Sequence, residues 1–283
     1  MIQPVQSFDT LLADIHASNQ PDGSFRLWWL GQSGFLLQWN GIHVLLDPYL
    51  SDSLTKKYSR TDKPHVRLTE LVIEPARLSF ADVATATHNH TDHLDAETLC
   101  PILVRNPNLK LVIPEANRAF VAERLKIDST IPIGVDDGRS VEVCGMRFSG
   151  IASAHETLDR DERGRARYLG YALHFGGWSI YHSGDTVRYQ GMAEKLKEFK
   201  IDVALLPING RAAERRVPGN LFGAEAAQLA KDIAAKLVIP CHFEMFEFNT
   251  ASPQEFVDEC QRLKQSFKVL RCGEKWCSQD LAS

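Results

Sequence analysis

The sequence predicts an α+β chain folded as a four-layer αββα sandwich, with two packed sheets in the middle and helices outside. Three observations predict it. Apolar β-meanders are punctuated by glycine turns. Strand-like runs then alternate with amphipathic helical stretches. This pair of patterns occurs twice, over about 20–135 and 140–277, with no linker between them. The whole chain, 1–283, therefore reads as a single domain of two similar halves.

Residues 7–16 have the apolar spacing of a short leading helix. FRLWWLGQSGFLLQWNGIHVLLDPYL follows as strands, and Asn40-Gly41 is a strong hairpin turn because the turn needs positive φ. Residues 51–78 are polar and carry two prolines, which predicts an irregular excursion or lid. ADVATAT is a strand and DAETLCPILVR a helix with Asp95 as N-cap. LKLVIP is a buried strand and EANRAFVAERLKI the helix after it. The second half opens with VEVCGMRFSGIAS, a hairpin around Gly145, and YLGYALHFGGWSIYHSGD, a hairpin at Gly176-Gly177. Helix 189–200, strand IDVALLPI, helix 223–236, strand KLVIP and helix 253–266 complete it.

Composition narrows the function classes. Hydrophobic residues make up 44% and charged residues 24% of 283, a balance that needs no disulfides to sustain a core. Lys+Arg 32 against Asp+Glu 36 gives a net charge of -4, which argues against a nucleic-acid binder. No stretch approaches the ~20 apolar residues of a membrane span. MIQPVQSFDTLLADIHASN has neither a basic n-region nor an apolar h-region, so no secretory signal is expected. The six cysteines form no CxxC pair and read as free thiols of a cytoplasmic protein.

The informative stretch is Thr87-His88-Asn89-His90-Thr91-Asp92-His93. His88, His90, Asp92 and His93 place four metal-capable side chains within six residues, after a strand and before a helix. A turn there can aim His88 and His90 one way and bring Asp92 and His93 round the other, which suits two metal ions better than one. Imidazole and carboxylate donors suit Zn²⁺, Mn²⁺ or Fe²⁺. Three further candidates stand at the ends of apolar strands: His155 after MRFSGIASA, Asp185 after WSIYHSG, and His242 after KLVIPC. Strand ends on one edge of a sandwich converge on one site.

HNHTDH resembles the HxHxDH signature of the metallo-β-lactamase-fold hydrolases, and the order HxHxDH, His, Asp, His is similar to that superfamily through most of the chain. The resemblance implies that His88, His90 and His155 bind one metal and Asp92, His93 and His242 a second, with Asp185 bridging. WLGQSGFLL, YHSGD, IDVALLP and VIPCHFEMF look most like the L-ascorbate-6-phosphate lactonase (UlaG-like) group, over roughly residues 26–277. That likeness implies a cytoplasmic dinuclear hydrolase acting on a small anionic lactone or ester, and suggests a homo-oligomer.

A metal pair can turn a bridging water into hydroxide near neutral pH and polarise a carbonyl or phosphoryl oxygen. Asp92 is then a candidate to orient the water or carry its proton, and Asp185 to hold the pair. Groups behind the ligands should fix their tautomers. The resemblance points to Asp47 at the end of HVLLD, against the plain alternative of a turn Asp before Pro48. His182 belongs either to the cleft or to the core. His16, His43, His65 and His174 read as surface or structural. Two loops, 156–168 and 210–219, are rich in arginine. Arg211 is the candidate to recognise a substrate anion, against the alternative of a solvated charge run. Gln32, in Gly31-Gln32-Ser33-Gly34, is a candidate substrate contact or simply part of a β-turn.

Two other readings compete. A metal-dependent phosphodiesterase uses the same chemistry. An iron-dependent sulfur dioxygenase belongs to a redox branch of the same fold and uses one metal, whereas here seven ligand positions are filled. Flavodiiron relatives usually carry a Glu where this chain has His90. RNA-processing relatives bring an extra domain for which no insertion here is long enough.

Overall fold

A computed structural model describes residues 1–281. Its first sheet has seven strands: β1 (Phe25–Gly31), β2 (Gly34–Trp39), β3 (Ile42–Leu46), β4 (Val83–Thr85), β5 (Lys110–Pro114), β6 (Ile133–Val135) and β13 (Lys275–Cys277). Their order is β13-β1-β2-β3-β4-β5-β6. The second sheet has six: β7 (Ser140–Val143), β8 (Met146–Ala152), β9 (Leu169–Phe175), β10 (Trp178–His182), β11 (Val203–Pro207) and β12 (Leu237–Cys241). Their order is β12-β11-β10-β9-β8-β7. Each sheet begins antiparallel and ends parallel. The C-terminal β13 leaves its own half and pairs antiparallel with β1.

Three hairpins are set by two-residue turns. Trp39 pairs with Ile42 across Asn40-Gly41, and Phe175 with Trp178 across Gly176-Gly177. Val143 pairs with Met146 across Cys144-Gly145. Every one of these turn residues has positive φ, the backbone that matches strand twist.

Both faces of β1 are buried, and its side chains alternate between two cores, as a period of two dictates. Leu27 and Trp29 join Leu37, Phe148 and Ile180 between the sheets. Trp28 and Leu30 face outward against Leu11 and Ile15 of α1 (Phe8–Ala17), Leu99 and Ile102 of α3 (Ala96–Arg105), and Val121 and Leu125 of α4 (Arg118–Leu125). On the far side, α6 (Gly223–Asp232) packs on β11 and β12, and α7 (Gln254–Leu263) packs on α6. The layers are thus helix, sheet, sheet, helix.

The excursion 51–78 is less irregular than its polarity predicts. It contains α2 (Ser53–Tyr58) and a 3-10 turn at Pro75–Leu78. The expected helix 189–200 is shorter, α5 (Met192–Lys197), entered through Gly191 at φ +84. Among the described residues no helix is long and apolar enough to cross a membrane.

Candidate metal centre

Strand direction decides where the chemistry gathers. β1, β3 and β4 run the same way in one sheet, and β8, β10 and β12 the same way in the other. Their C-terminal ends therefore share an edge. Gln32 follows β1, Asp47 follows β3, and the His88–His93 turn follows β4. His155, Asp185 and His242 follow β8, β10 and β12. Gln32, Asp47 and His242 have φ of +50, +41 and +61. Left-handed backbone at these positions turns each chain sharply off its strand.

Two sets of donors result. His88, His90, His155 and Asp185 form one, and Asp92, His93, His242 and Asp185 the other. Within each set the ligand atoms lie within 4.8 Å of one another. Asp185 belongs to both. Its Oδ1 is 3.2 Å from His93 Nε2, and its Oδ2 is 3.5 Å from both His155 Nε2 and His242 Nε2. His88 Nε2, His93 Nε2 and Asp185 Oδ1 are buried without a hydrogen-bond partner. Buried polar atoms are rarely left unmatched, and unmatched donors converging from several directions fit a divalent cation.

The opposite ring nitrogens are tied down. His155 Nδ1–H donates to the Gly219 carbonyl at 2.8 Å. His93 Nδ1–H donates to Asp47 Oδ2 at 2.7 Å. His88 Nδ1–H donates to Thr87 Oγ1 at 3.1 Å, and that hydroxyl donates to Asp47 Oδ2. Each bond turns Nε2 toward the centre. The fully buried Asp47 thus orients His93 directly and His88 through Thr87, reaching both sets. Gly184, at φ +58, lets the YHSGD turn pass close to Thr87, since a Cβ there would lie 2.5 Å from Thr87 Oγ1.

Electrostatics separates the two sets. Burial holds His88 well below the usual imidazole range and His90 down at about 4. Burial also disfavours charge on His93 and His242, but Asp185 and Asp92 outweigh it. His93 rises well above its ordinary value and His242 to about 9. The two carboxylates resist charge through burial and are nonetheless held low, chiefly by His93. In the first set, His88 and His90 are therefore held neutral beside one carboxylate. In the second set, the neighbouring carboxylates favour the protonated form of His93 and His242.

One expectation needs correction, and two residues left open by the sequence find their places. Arg211 does not line the cleft. Its guanidinium grips Glu225 at 2.6 and 2.7 Å, donates to the Asn220 carbonyl and lies over Phe222, which pins the 210–219 loop to α6. His182 belongs to the core: it is fully buried, packs edge-on against Phe35 and donates from Nε2 to the Ser33 carbonyl at 2.8 Å. It supports the Gln32 turn rather than a ligand. Gln32 does reach the cleft, but its Nε2 donates to Asp92 Oδ2 at 2.9 Å and lies 3.1 Å from His242 Nε2.

The cleft holds about 180 Å³ above the donors. Sequence reading missed several of its residues. His65, read as structural, lines it. Its Nδ1–H donates to the Lys63 carbonyl, and its ring stacks on Tyr58 and meets Phe246 edge-on. Tyr168 lies beside the rings of His88, His90 and His155. Lys57, Arg124 and Asn249 also line the cleft. None carries a spacing signal, because each arrives from a helix or loop far away in sequence. The arginines of 156–168 do not line it: Arg160, Arg165 and Arg167 pair with Asp137, Asp161 and Asp159.

Comparison with known proteins agrees with this architecture. A family model described as a beta-lactamase superfamily domain matches residues 26–242. The chain is 27% identical to a UPF0173 metal-dependent hydrolase of Saccharolobus solfataricus, over 88% of this chain and 97% of the relative. It is 26% identical to a probable L-ascorbate-6-phosphate lactonase of Shigella boydii, over 90% of this chain and 80% of the relative. Among solved structures, the isothiocyanate hydrolase from Delia radicum gut bacteria superposes with a TM-score of 0.71 at 18% identity, over 89% of this chain and 98% of that one.

Proposed function

The chain belongs to the β-lactamase superfamily and is a metal-dependent hydrolase of it; from that premise we propose that it uses two divalent ions, Zn²⁺ or Mn²⁺, to hydrolyse a small anionic lactone or ester. The observation that carries this reading is the shared Asp185 between two complete donor sets. A mononuclear oxygenase would leave one set without purpose. The 26% identity to a probable lactonase supports the lactone as substrate class.

His88, His90 and His155 would hold one ion, Asp92, His93 and His242 the other, and Asp185 both. Bound there, the ions supply a water nucleophile at neutral pH and polarise the scissile carbonyl. The protein's own part is orientation. Asp47, Thr87 and the Gly219 carbonyl fix the imidazoles. Asp92 is 15% exposed on the cleft side and is placed to accept a proton there. Leu54, Tyr58 and Phe246 give the substrate body an apolar wall.

The test is elemental analysis with a panel of lactones, sugar-phosphate lactones and phosphodiesters, on wild type and His90→Ala. About two ions per chain and lactone turnover, both reduced in the variant, are expected. Full activity in His90→Ala, or one iron per chain with no hydrolysis, would overturn the proposal. Cleavage of a bis-aryl phosphate with no lactone turnover would move it to a phosphodiesterase.

A further inference from the structure

Cations around the cleft mouth differ in one respect: whether an internal carboxylate answers them. Arg211 has Glu225, Arg216 has Asp62, and Arg160 has Asp137. Two basic side chains that line the cleft itself, Arg124 and Lys57, have none within ion-pair distance among the described residues. Arg124 stands in the last turn of α4. Its Nη1 donates to the carbonyls of Asn89 and Leu94, at 2.6 and 3.2 Å, and its guanidinium lies 4.4 Å from the Phe120 ring centre. Among the described residues, its Nε and Nη2 make no hydrogen bond. Lys57, on α2, extends over the Tyr58 ring at 5.1 Å. Its neighbour Lys56 is by contrast paired with Glu97.

A partly buried guanidinium without a counter-ion is held at a cost, which an arriving anion removes. Burial does push the Arg124 pKa down, and Asp95 raises it only in part. A third donor faces the same space. Asn249 Oδ1 accepts from Asn209 Nδ2 at 3.0 Å and Arg215 Nη1 at 3.3 Å, which leaves its amide N–H groups for a ligand. The cleft thus has carboxylates and imidazoles at its floor and unanswered donors on its walls.

We propose that Arg124 and Lys57 form the anion-binding end of the cleft, taking a phosphate or carboxylate substituent of the substrate while the bond to be broken lies over the metal centre. This rests on the hydrolase reading above. It gives to Arg124 and Lys57 the role that sequence alone assigned to Arg211.

The test uses one γ-lactone ring bearing a phosphate, a carboxylate or a hydroxyl at the same exocyclic carbon. Wild type, Arg124→Gln and Lys57→Gln are assayed after metal content is measured for each. The quantity read is discrimination, kcat/KM for each anionic lactone over the hydroxyl lactone. Loss of one charge-assisted contact should lower it roughly 10- to 100-fold in each variant. The larger drop, with phosphate or with carboxylate, identifies the substituent. Arg124 also holds carbonyls beside the metal turn, so Lys57→Gln, which touches none, keeps the test sharp if Arg124→Gln loses metal. In parallel, inorganic phosphate is titrated calorimetrically into chelator-treated protein at low salt. Wild type should bind it and the double variant should not. Unchanged discrimination in both variants, or phosphate binding retained by the double variant, would overturn the proposal. If wild type opens no lactone, the lactone reading fails, while loss of phosphate binding in the Arg124→Gln/Lys57→Gln double variant still supports the anion site.

Discussion

Asp47 is the side chain whose removal should disturb both donor sets at once. It is fully buried and accepts from four groups: Thr85 Oγ1 at 2.9 Å, Thr87 N at 3.1 Å, Thr87 Oγ1, and His93 Nδ1 at 2.7 Å. In Asp47→Ala the two hydroxyls can turn elsewhere, but Thr87 N–H and His93 Nδ1–H cannot follow. At about 1–3 kcal/mol for each stranded buried donor, the metal-free protein should lose about 2–6 kcal/mol. Asp47→Asn keeps the volume and one acceptor, so it should fold. It loses the charge and sets an amide N–H₂ against donors of Thr87. His93 and His88 then lose their fixed tautomers, and metal affinity should fall roughly 10- to 100-fold. Urea unfolding of chelator-treated protein reads the first quantity, and competition with a chromophoric chelator reads the second. Metal bound by Asp47→Asn with wild-type affinity would show that Asp47 does not organise the site.

Other predictions follow from the same geometry. His242 is raised from 6.5 to about 9, so its contribution to the metal-free fold is complete below pH 6.5 and is lost as pH rises through 9. His90 is lowered to about 4, so its contribution is present above 6.5 and is lost as pH falls through 4. The chelated protein should melt highest near pH 6.5, and metal uptake at pH 7 should release protons; uptake with no release, read with a pH indicator in weak buffer, would contradict this. Gln32→Ala frees Asp92 Oδ2 from an amide donor and should tighten metal binding roughly 2- to 10-fold; weaker binding in the chelator competition would refute it. Gly184→Ala forces a Cβ against Thr87 at positive φ and should cost about 1–3 kcal/mol, visible as a lower melting temperature together with weaker metal binding. Arg211→Ala should lower stability without changing preference for anionic over neutral lactones, and a selective rise in KM for the anion would restore Arg211 as a substrate contact.

What the sequence by itself determined follows from chemistry that is local or periodic. HNHTDH is legible because four of the donors are neighbours in the chain. Asn40-Gly41 and Gly176-Gly177 are legible because positive φ restricts which residues fit. His155, Asp185 and His242 could be singled out because each ends an apolar run. That their strand ends share one edge was decided by pairing, in which β8, β10 and β12 run the same way. Asp47 was reached only by resemblance, since its four donors come from β4 and the turns after it. Arg211, Arg124, His65 and His182 depended wholly on tertiary structure. An arginine is free to meet a ligand only if no carboxylate lies across from it, and Glu225 is 14 residues beyond Arg211 on a different element. His65 and His182 are both plain histidines in sequence. Packing set one against Tyr58 at the cleft wall and closed the other behind Phe35, because burial and counter-charge belong to the neighbours a side chain acquires on folding.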